Sequence, residues 1–360
     1  MSLTSFISMA DVRAKLKTLR PGPPRKIPVA LAVEPRSKRN QMVGAAFDYL
    51  LRFELQRRAP HCVARCWTAE AAPDIIWKKT DRGGGGLVLY RDDRGVVSVA
   101  RDAQSANVAF KQESGLAEDM ADRARKVIET AKSAHCAYLK TASPKQAAKA
   151  ALAGHAIRLA KLTALVAAGT RGFDPTFEEA AEEDVEDLLA LLAIAPFNAL
   201  LHDTTLLLNP VFRQTSLLVG GADADLIAGD MLVDVKTTKS DSMATENLDE
   251  LFGYYLLARR HRQDAPTFPL INRLALYFAR HGYLWTWEVS TWTGHPQFAE
   301  TEEWFFNRAK EAFRPRTERA TPSQIKGTWS GVPLDQIDKN MTLGEMIRRG
   351  MLRVQPPRRS

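Results

Sequence analysis

Val219-Gly220-Gly221-Ala222-Asp223-Ala224-Asp225-Leu226-Ile227-Ala228-Gly229-Asp230-Met231-Leu232-Val233-Asp234-Val235-Lys236 is the stretch that decides the fold. Two β-type runs meet at Gly229-Asp230, and glycine first in a two-residue loop suits a type II′ hairpin turn. That turn sets the register: Ala228 faces Met231, Ile227 faces Leu232, Leu226 faces Val233, and Asp225 faces Asp234. Opposed residues in an antiparallel pair have Cβ atoms only about 4.5–5.5 Å apart, where like charges are destabilising. A divalent cation between the two carboxylates removes that conflict. Period-two alternation puts Lys236 on the face of Asp234 with Asp223 opposite it, and leaves Ala224, Leu226, Val233 and Val235 as an apolar face for a helix. The bland alternative is a solvated polar face with Asp223–Lys236 as a surface ion pair worth under about 1 kcal/mol.

Hard cations such as Mg²⁺ take few carboxylates and keep several waters, which suits attack on a phosphate diester. The metal lowers the pKa of a bound water and neutralises charge on the phosphate, and a nearby ammonium orients that water or stabilises the transition state. Ala224-Asp225, a turn, then Asp234-Val235-Lys236 resembles the PD-(D/E)XK nuclease signature, with Asp225 as the first acid and Asp234-x-Lys236 as the second half. The following Asp249-Glu250-Leu251-Phe252-Gly253-Tyr254-Tyr255 resembles the helix after the signature in the RecB-like branch, where Gln-x-x-x-Tyr is usual. Glu250 stands in place of the Gln while Tyr254 is kept, and Ala224 replaces the proline before the first acid. The resemblance covers residues 219–255. It implies a restriction-endonuclease-like core, an α/β fold with a mixed central β-sheet flanked by helices, and Mg²⁺-dependent cleavage of nucleic acid at Asp225, Asp234 and Lys236, with Mn²⁺ as an alternative ion.

The family often adds an acid from a helix N-terminal to the sheet. Along 41–58, Val43, Phe47, Leu50, Leu51 and Glu54 share one apolar stripe, so Glu54 points at the core. A buried carboxylate is costly alone, so Glu54 either reaches a cation or pairs with Arg57 or Arg58. Asp48, four residues after Gly44, is the competing acid, because RecB-like relatives open this helix with a glycine followed four positions later by a polar ligand. The pattern does not choose between Asp48 and Glu54.

Outward from the hairpin, β-type runs at 206–208, 216–227, 231–237, 271–279 and 283–290 bracket helices at 246–262 and 300–313, an α/β order with a mixed sheet. Upstream, helices are expected at 3–20, 41–58, 116–133, 144–168 and 175–195. The runs Ile75–Trp77, 87–90 and 96–99 read as a β-hairpin or small sheet around the tetraglycine 83–86. No Lys-Ser/Thr follows those glycines, so they are not a phosphate loop. The acids between Asp174 and Asp187 cluster at a helix N-terminus, where the macrodipole favours them. The chain thus divides into a basic N-terminal segment (1–40), a mainly helical region with a small β element whose first helix joins the core (41–200), the nuclease-like core (201–314), and a basic, proline-punctuated tail (315–360) with a short helix at 342–350.

The 360 residues carry 50 Lys+Arg against 42 Asp+Glu, and 45% are hydrophobic, enough for a packed core and incompatible with collagen, coiled coil or wholesale disorder. Residues 1–60 hold 12 basic and 4 acidic residues, and 314–360 hold 10 and 4, so both ends are positive and the body is acidic. Basic ends suit a polyanion, with nucleic acid the expected partner and DNA favoured. Three cysteines favour a reducing compartment. His61, Cys62, Cys66, His135 and Cys136 match no tight zinc spacing and read as ordinary residues. No secretory h-region opens the chain, and its longest apolar run, 188–195, is far short of a span, so a cytoplasmic protein with no membrane partner is expected. Two other classes compete with a nuclease: a non-catalytic nucleic-acid-binding or assembly subunit, and an interaction protein docking on an acidic partner.

Overall fold

Hydrophobic residues alternate face by face along each central strand, and that pattern builds a two-sided sheet. The computed structural model describes residues 2–22, 26–80, 88–91, 97–100 and 116–313. The tetraglycine, the tail 315–360 and its expected helix lie outside the described residues. Helices α1 (Leu3–Ile7), α2 (Ala10–Lys17) and α3 (Asn40–Arg58) precede strand β1 (Val63–Ala64) and α4 (Ala72–Thr80). The hairpin β2 (Val88–Arg91)–β3 (Val97–Ala100) leads into α5 (Leu116–Leu139), α6 (Gln146–Ala168), α7 (Glu182–Ala193) and α8 (Phe197–Leu200). Then follow β4 (Leu206–Leu208), α9 (Gln214–Leu217), β5 (Leu226–Ala228), β6 (Met231–Lys236), α10 (Thr245–Asp264), β7 (Arg273–Phe278), β8 (Tyr283–Glu288), α11 (Ser290–Thr293) and α12 (Phe298–Ala312).

Six strands form one mixed sheet in the order β1-β4-β5-β6-β7-β8, and β2-β3 stand apart as an antiparallel pair. The central hairpin takes the expected register, Ala228 with Met231, Ile227 with Leu232 and Leu226 with Val233. Gly229 sits at φ +61°, the left-handed value its turn demands. Strands β6 and β7 run parallel, joined through α10 in a β-α-β crossover. On one face Leu206, Leu208, Val233, Ala275 and Tyr277 pack under α3, α5, α6 and α7. On the other, Ile227, Leu232, Leu274, Leu276 and Phe278 pack under α10 and α12, with Leu3, Phe6, Ile7, Val12 and Leu16 completing that layer.

Several expected elements are corrected. Ile75–Trp77 is not a strand: it lies inside α4, because a three-residue apolar run satisfies a helix face as well as a strand. Residues 216–227 are not one strand. A helical turn ends at Leu217, Gly220 and Gly221 take positive φ, Asp223 makes an isolated bridge to Val211, and only Leu226–Ala228 joins the ladder. Because the strand begins after Asp225, Ala224 packs into the α10 layer instead of the α3 face expected from alternation. The helix expected at 3–20 is two helices, with Ser8 Oγ turned back to the Thr4 carbonyl at 2.8 Å. The helix expected at 175–195 begins at Glu182.

Helix α6 is long and apolar enough to cross a membrane by length and composition. Here it packs among α3, α5 and α7. Its Lys161 is 4% exposed, with Nζ donating to the Thr176 carbonyl at 2.8 Å.

A candidate metal centre at the end of strand β6

Asp234 and Lys236 alternate onto the α10 face of β6, where Asp234 is 4% exposed. The β5–β6 ladder stops at Leu226, and Asp225 takes over the next position with its side chain: the Val235 N–H donates to Asp225 Oδ2 at 2.7 Å. That bond fixes the Asp225 carboxylate beside Asp234. Burial first, then the charges of Asp234 and Asp48, raise the Asp225 carboxyl well above the usual carboxylate range. Burial also raises Asp234; Lys236 offsets this, Glu250 reinforces it, and its carboxyl is pushed up to about 6.

Lys236 Nζ stands 2.8 Å from Asp234 Oδ2 and 2.8 Å from Glu250 Oε2. Burial opposes its charge, but Asp234 and Glu250 win and raise its pKa. Glu250 also accepts from Thr4 Oγ1 at 2.9 Å and, more loosely, from Tyr254 Oη at 3.5 Å. At this position a glutamine could donate and accept; glutamate can only accept, and it holds the lysine.

Asp48 and Glu54 part company. A methyl group on Gly44 would come within 2.7 Å of Thr237 Oγ1, so α3 crosses closely over the chain leaving β6. One turn later Asp48 meets the acids of the hairpin: burial raises its carboxyl, Arg52 opposes this, and Asp223 adds to it. Arg52, four residues on, forms an ion pair with Asp48. Glu54 lies two turns away, where Arg57 Nη2 at 2.6 Å, Arg58 Nε at 2.7 Å and Tyr138 Oη at 2.6 Å all donate to it. Burial alone would raise Glu54, yet the hydrogen bonds from Arg57, Tyr138 and Arg58 bring it down to about 2. Of the two arrangements open to Glu54, the structure has the arginine pairing.

Sequence reasoning missed the frame around these residues. Arg280, 1% exposed and just past β7, donates from Nη1 and Nη2 to the two oxygens of Asp187 at 2.8 Å each, and from Nε to the Thr237 carbonyl at 3.0 Å. Its own carbonyl accepts from the N–H groups of Ala32 and Val33, both at 2.9 Å. The acids of α7 are therefore more than helix-dipole decoration, since Asp187 is paired with Arg280 and the buried Asp184 with Arg39. No spacing rule links Asp187 to Arg280 across 93 positions. The N-terminal segment is also neutralised against the core: Arg13 pairs with Glu246, Lys15 with Glu300, Arg20 with Asp249 and Lys26 with Asp241.

The donor chemistry suits a hard cation: two crowded carboxylates, Asp225 and Asp234, each of which burial raises. Among the described residues no three His, Cys, Asp or Glu side chains gather closely enough to hold a metal ion. Two carboxylates of this kind match an ion that keeps most of its waters, and not an all-protein cage. The His and Cys residues weighed for zinc do not gather either: His135 stacks 4.3 Å from the Phe53 ring, and Cys66 and Cys136 are exposed. Comparison with known proteins yields no matching family model, no similar curated protein and no similar solved structure. The fold and site define the chain as a mixed α/β protein with a half-buried acid–lysine cluster at a strand end.

Proposed function

We propose that this chain is a metal-dependent nuclease of restriction-endonuclease-like architecture, a member of the PD-(D/E)XK group in its RecB-like branch, hydrolysing phosphodiester bonds in nucleic acid, with DNA favoured. The observation that carries this reading is the pair Asp225–Asp234. Two acids stand together at the end of one hairpin: the Val235 N–H holds Asp225 beside Asp234, the charge of Asp234 helps raise Asp225 well above the usual carboxylate range, and Lys236 Nζ is 2.8 Å from Asp234 Oδ2, a cluster whose negative charge a divalent cation would neutralise further.

In this reading Asp225 and Asp234 hold Mg²⁺, or Mn²⁺, and Asp48 from α3 adds its negative charge beside Asp225 without being a third direct ligand. The bound ion supplies charge neutralisation at the phosphate and a more acidic water. The Val235 N–H orients the Asp225 carboxylate through its 2.7 Å hydrogen bond. Lys236, kept protonated by its two acids, presents a fixed positive charge to the developing oxyanion. Glu250 holds that ammonium, and Tyr254 Oη donates to Glu250 at 3.5 Å, so both position Lys236. Roles in repair, recombination or defence against foreign DNA suit such chemistry equally.

A second reading, a nucleic-acid-binding or assembly subunit that keeps the fold without cleaving, draws on the lack of a three-ligand group among the described residues. Incubation of labelled single-stranded DNA, duplex DNA and RNA with Mg²⁺ or Mn²⁺ separates the two. Cleavage is expected for wild type and is expected to fall by at least about a thousandfold in Asp234→Asn and Lys236→Ala, the scale of losing an electrostatic catalytic group. Cleavage retained in both folded variants overturns the assignment; binding without any cleavage in wild type establishes the second reading.

A further inference from the structure

A groove of about 780 Å³ runs beside the edge of the sheet and lies outside the acid cluster. Strands β1 and β4 form one wall and the C-terminal end of α10 with the loop after it forms the other, with Val63, Arg65, Leu207, Arg213, His261 and Phe268 along it. Strand β1 is parallel to β4, and β4 and β6 are both antiparallel to β5. All three therefore point the same way, so Arg65, just past β1, and Arg213, beyond β4, lie at the end where β6 delivers Asp234 and Lys236.

Aromatic rings connect groove and cluster. Tyr254, which sits in the fields of Glu250, Asp234 and Asp225, packs 6.4 Å from the Phe212 ring; Phe212 packs 6.0 Å from Phe268, and Phe268 4.8 Å from His261.

Unpaired arginines are scarce among the described residues, and the groove holds two of them. Almost every arginine whose side chain is described is answered by a carboxylate, a carbonyl or a ring. Arg65, Arg171 and Arg213 are exposed and make no such contact, and two of the three line this groove. Arg213 is held at φ 45° and ψ −120°, a backbone region that a side-chain-bearing residue rarely occupies. Acids lie close to it as well: Asp264 acts on His261, and Asp223 forms a bridge to the lining residue Val211. Apolar surface accompanies the charge: Val63 is 61% exposed, and Leu270, just beyond Pro269, is 56% exposed.

Cations beside apolar and aromatic surface match a chain of phosphates carrying free bases. A duplex keeps its base faces stacked inside and would leave Val63, Leu207 and Phe268 unused. The geometry points to an unpaired nucleic-acid strand as the occupant of this groove, with its phosphates on Arg65 and Arg213 and its base faces on Val63 and Phe268. The groove leads that strand toward Asp225 and Asp234. This direction of travel rests on the nuclease reading, whereas the binding itself does not.

The test is fluorescence anisotropy of a labelled 12-nucleotide single-stranded DNA, titrated with the full chain in EDTA across a series of salt concentrations. Each phosphate contact on a single strand contributes about 0.7 to the log–log salt slope, so Arg65→Gln with Arg213→Gln is expected to flatten the slope by about 1.4 and weaken binding. Arg171→Gln, the loss of an unpaired arginine outside the groove, is expected to leave both unchanged. Arg213→Lys retains the charge at the same backbone conformation and is expected to bind as wild type. Single-stranded RNA competes alongside the DNA strand; a blunt duplex competes poorly. An unchanged slope in the double variant, an equal effect from Arg171→Gln, or a duplex that competes as well as the strand overturns the groove. If instead the strand binds as expected but wild type cleaves nothing in Mg²⁺ or Mn²⁺, the nuclease reading falls and the groove stands.

Discussion

Asp48 and Glu54 sit on one helix, six positions apart, and their environments give them opposite tasks. Glu54 is a sealed anchor with two arginines and a tyrosine donating to it, holding its carboxyl at about 2. Removing one member of a buried ion pair costs about 3–5 kcal/mol, because the partners' charges are left uncompensated. Glu54→Ala is therefore expected to lower unfolding free energy by about that amount, measured by urea titration, while the folded protein keeps the metal-dependent cleavage that the nuclease reading proposes. Asp48→Asn is expected to do the reverse: a small change in stability, because burial and Asp223 already raise its carboxyl against the pull of Arg52, and, on the nuclease reading, a large loss of cleavage. Full activity in Asp48→Asn, or an inactive but stable Glu54→Ala, assigns the roles the other way.

At the scale of elements, the site depends on how three segments are clamped. Arg280 ties α7 to the chain leaving β6 and, through its carbonyl, to the segment before α3. The guanidinium is 1% exposed and fully engaged, so Asp187→Ala strands a buried cation. That variant is expected to lose about 3–5 kcal/mol, whereas Asp187→Leu combined with Arg280→Met recovers most of it, since apolar replacement of a whole buried pair is often neutral. Denaturant titration of the two variants checks this; a single variant that loses under about 1 kcal/mol removes the clamp from the account. Gly253 makes a second junction: a methyl there would meet Ile7 Cδ1 at 2.8 Å, so α1 sits directly on α10, close to where Thr4 reaches Glu250.

For the molecule as a whole, two buried groups make folding depend on acid, in the same direction. Burial lowers His135 to about 4 from an ordinary value of 6.5, because the ring is packed against Phe53 and Trp67 with its Nε2 unpartnered. A lowered histidine contributes stability that is present above pH 6.5 and is lost as pH falls toward 4. Glu54, lowered from 4.5 to about 2, adds a loss across that lower window. Asp234, raised from 3.8 to about 6, works against them, since the folded state takes up its proton first and gains stability as pH falls through 6. The His135 contribution is isolated by comparison with His135→Phe. The difference in Tm between variant and wild type is expected to grow in the variant's favour from pH 6.5 to pH 4; a difference independent of pH removes His135 from the acid response.

Charge reads differently at this scale than it does along the chain. Many of the basic residues before α3 are spent on ion pairs with α7, α10, α12 and the loop after β6, so the N-terminal excess is largely a means of binding the segment to an acidic body. Among the described residues few arginines are left free, and two of these share the groove.

The sequence by itself determined the central hairpin. A glycine that alone accepts the turn, and alternation of period two, left one register for residues 226–233, and the order of strands and helices around it set a mixed α/β sheet. These are local effects, carried by neighbours in the chain. Where local preference was indifferent the reading failed: Ile75–Trp77 could serve a helix or a strand, and 216–227 held apolar runs broken by glycines whose positive φ turned the chain away. Only the tertiary structure decided that Glu54 meets arginines while Asp48 meets the hairpin acids, that Arg280 finds Asp187, and that Arg65 and Arg213 come to one groove. Burial and Coulomb energies act through space, and residues as far apart in sequence as 187 and 280 acquire a relation only when the packed sheet brings them together.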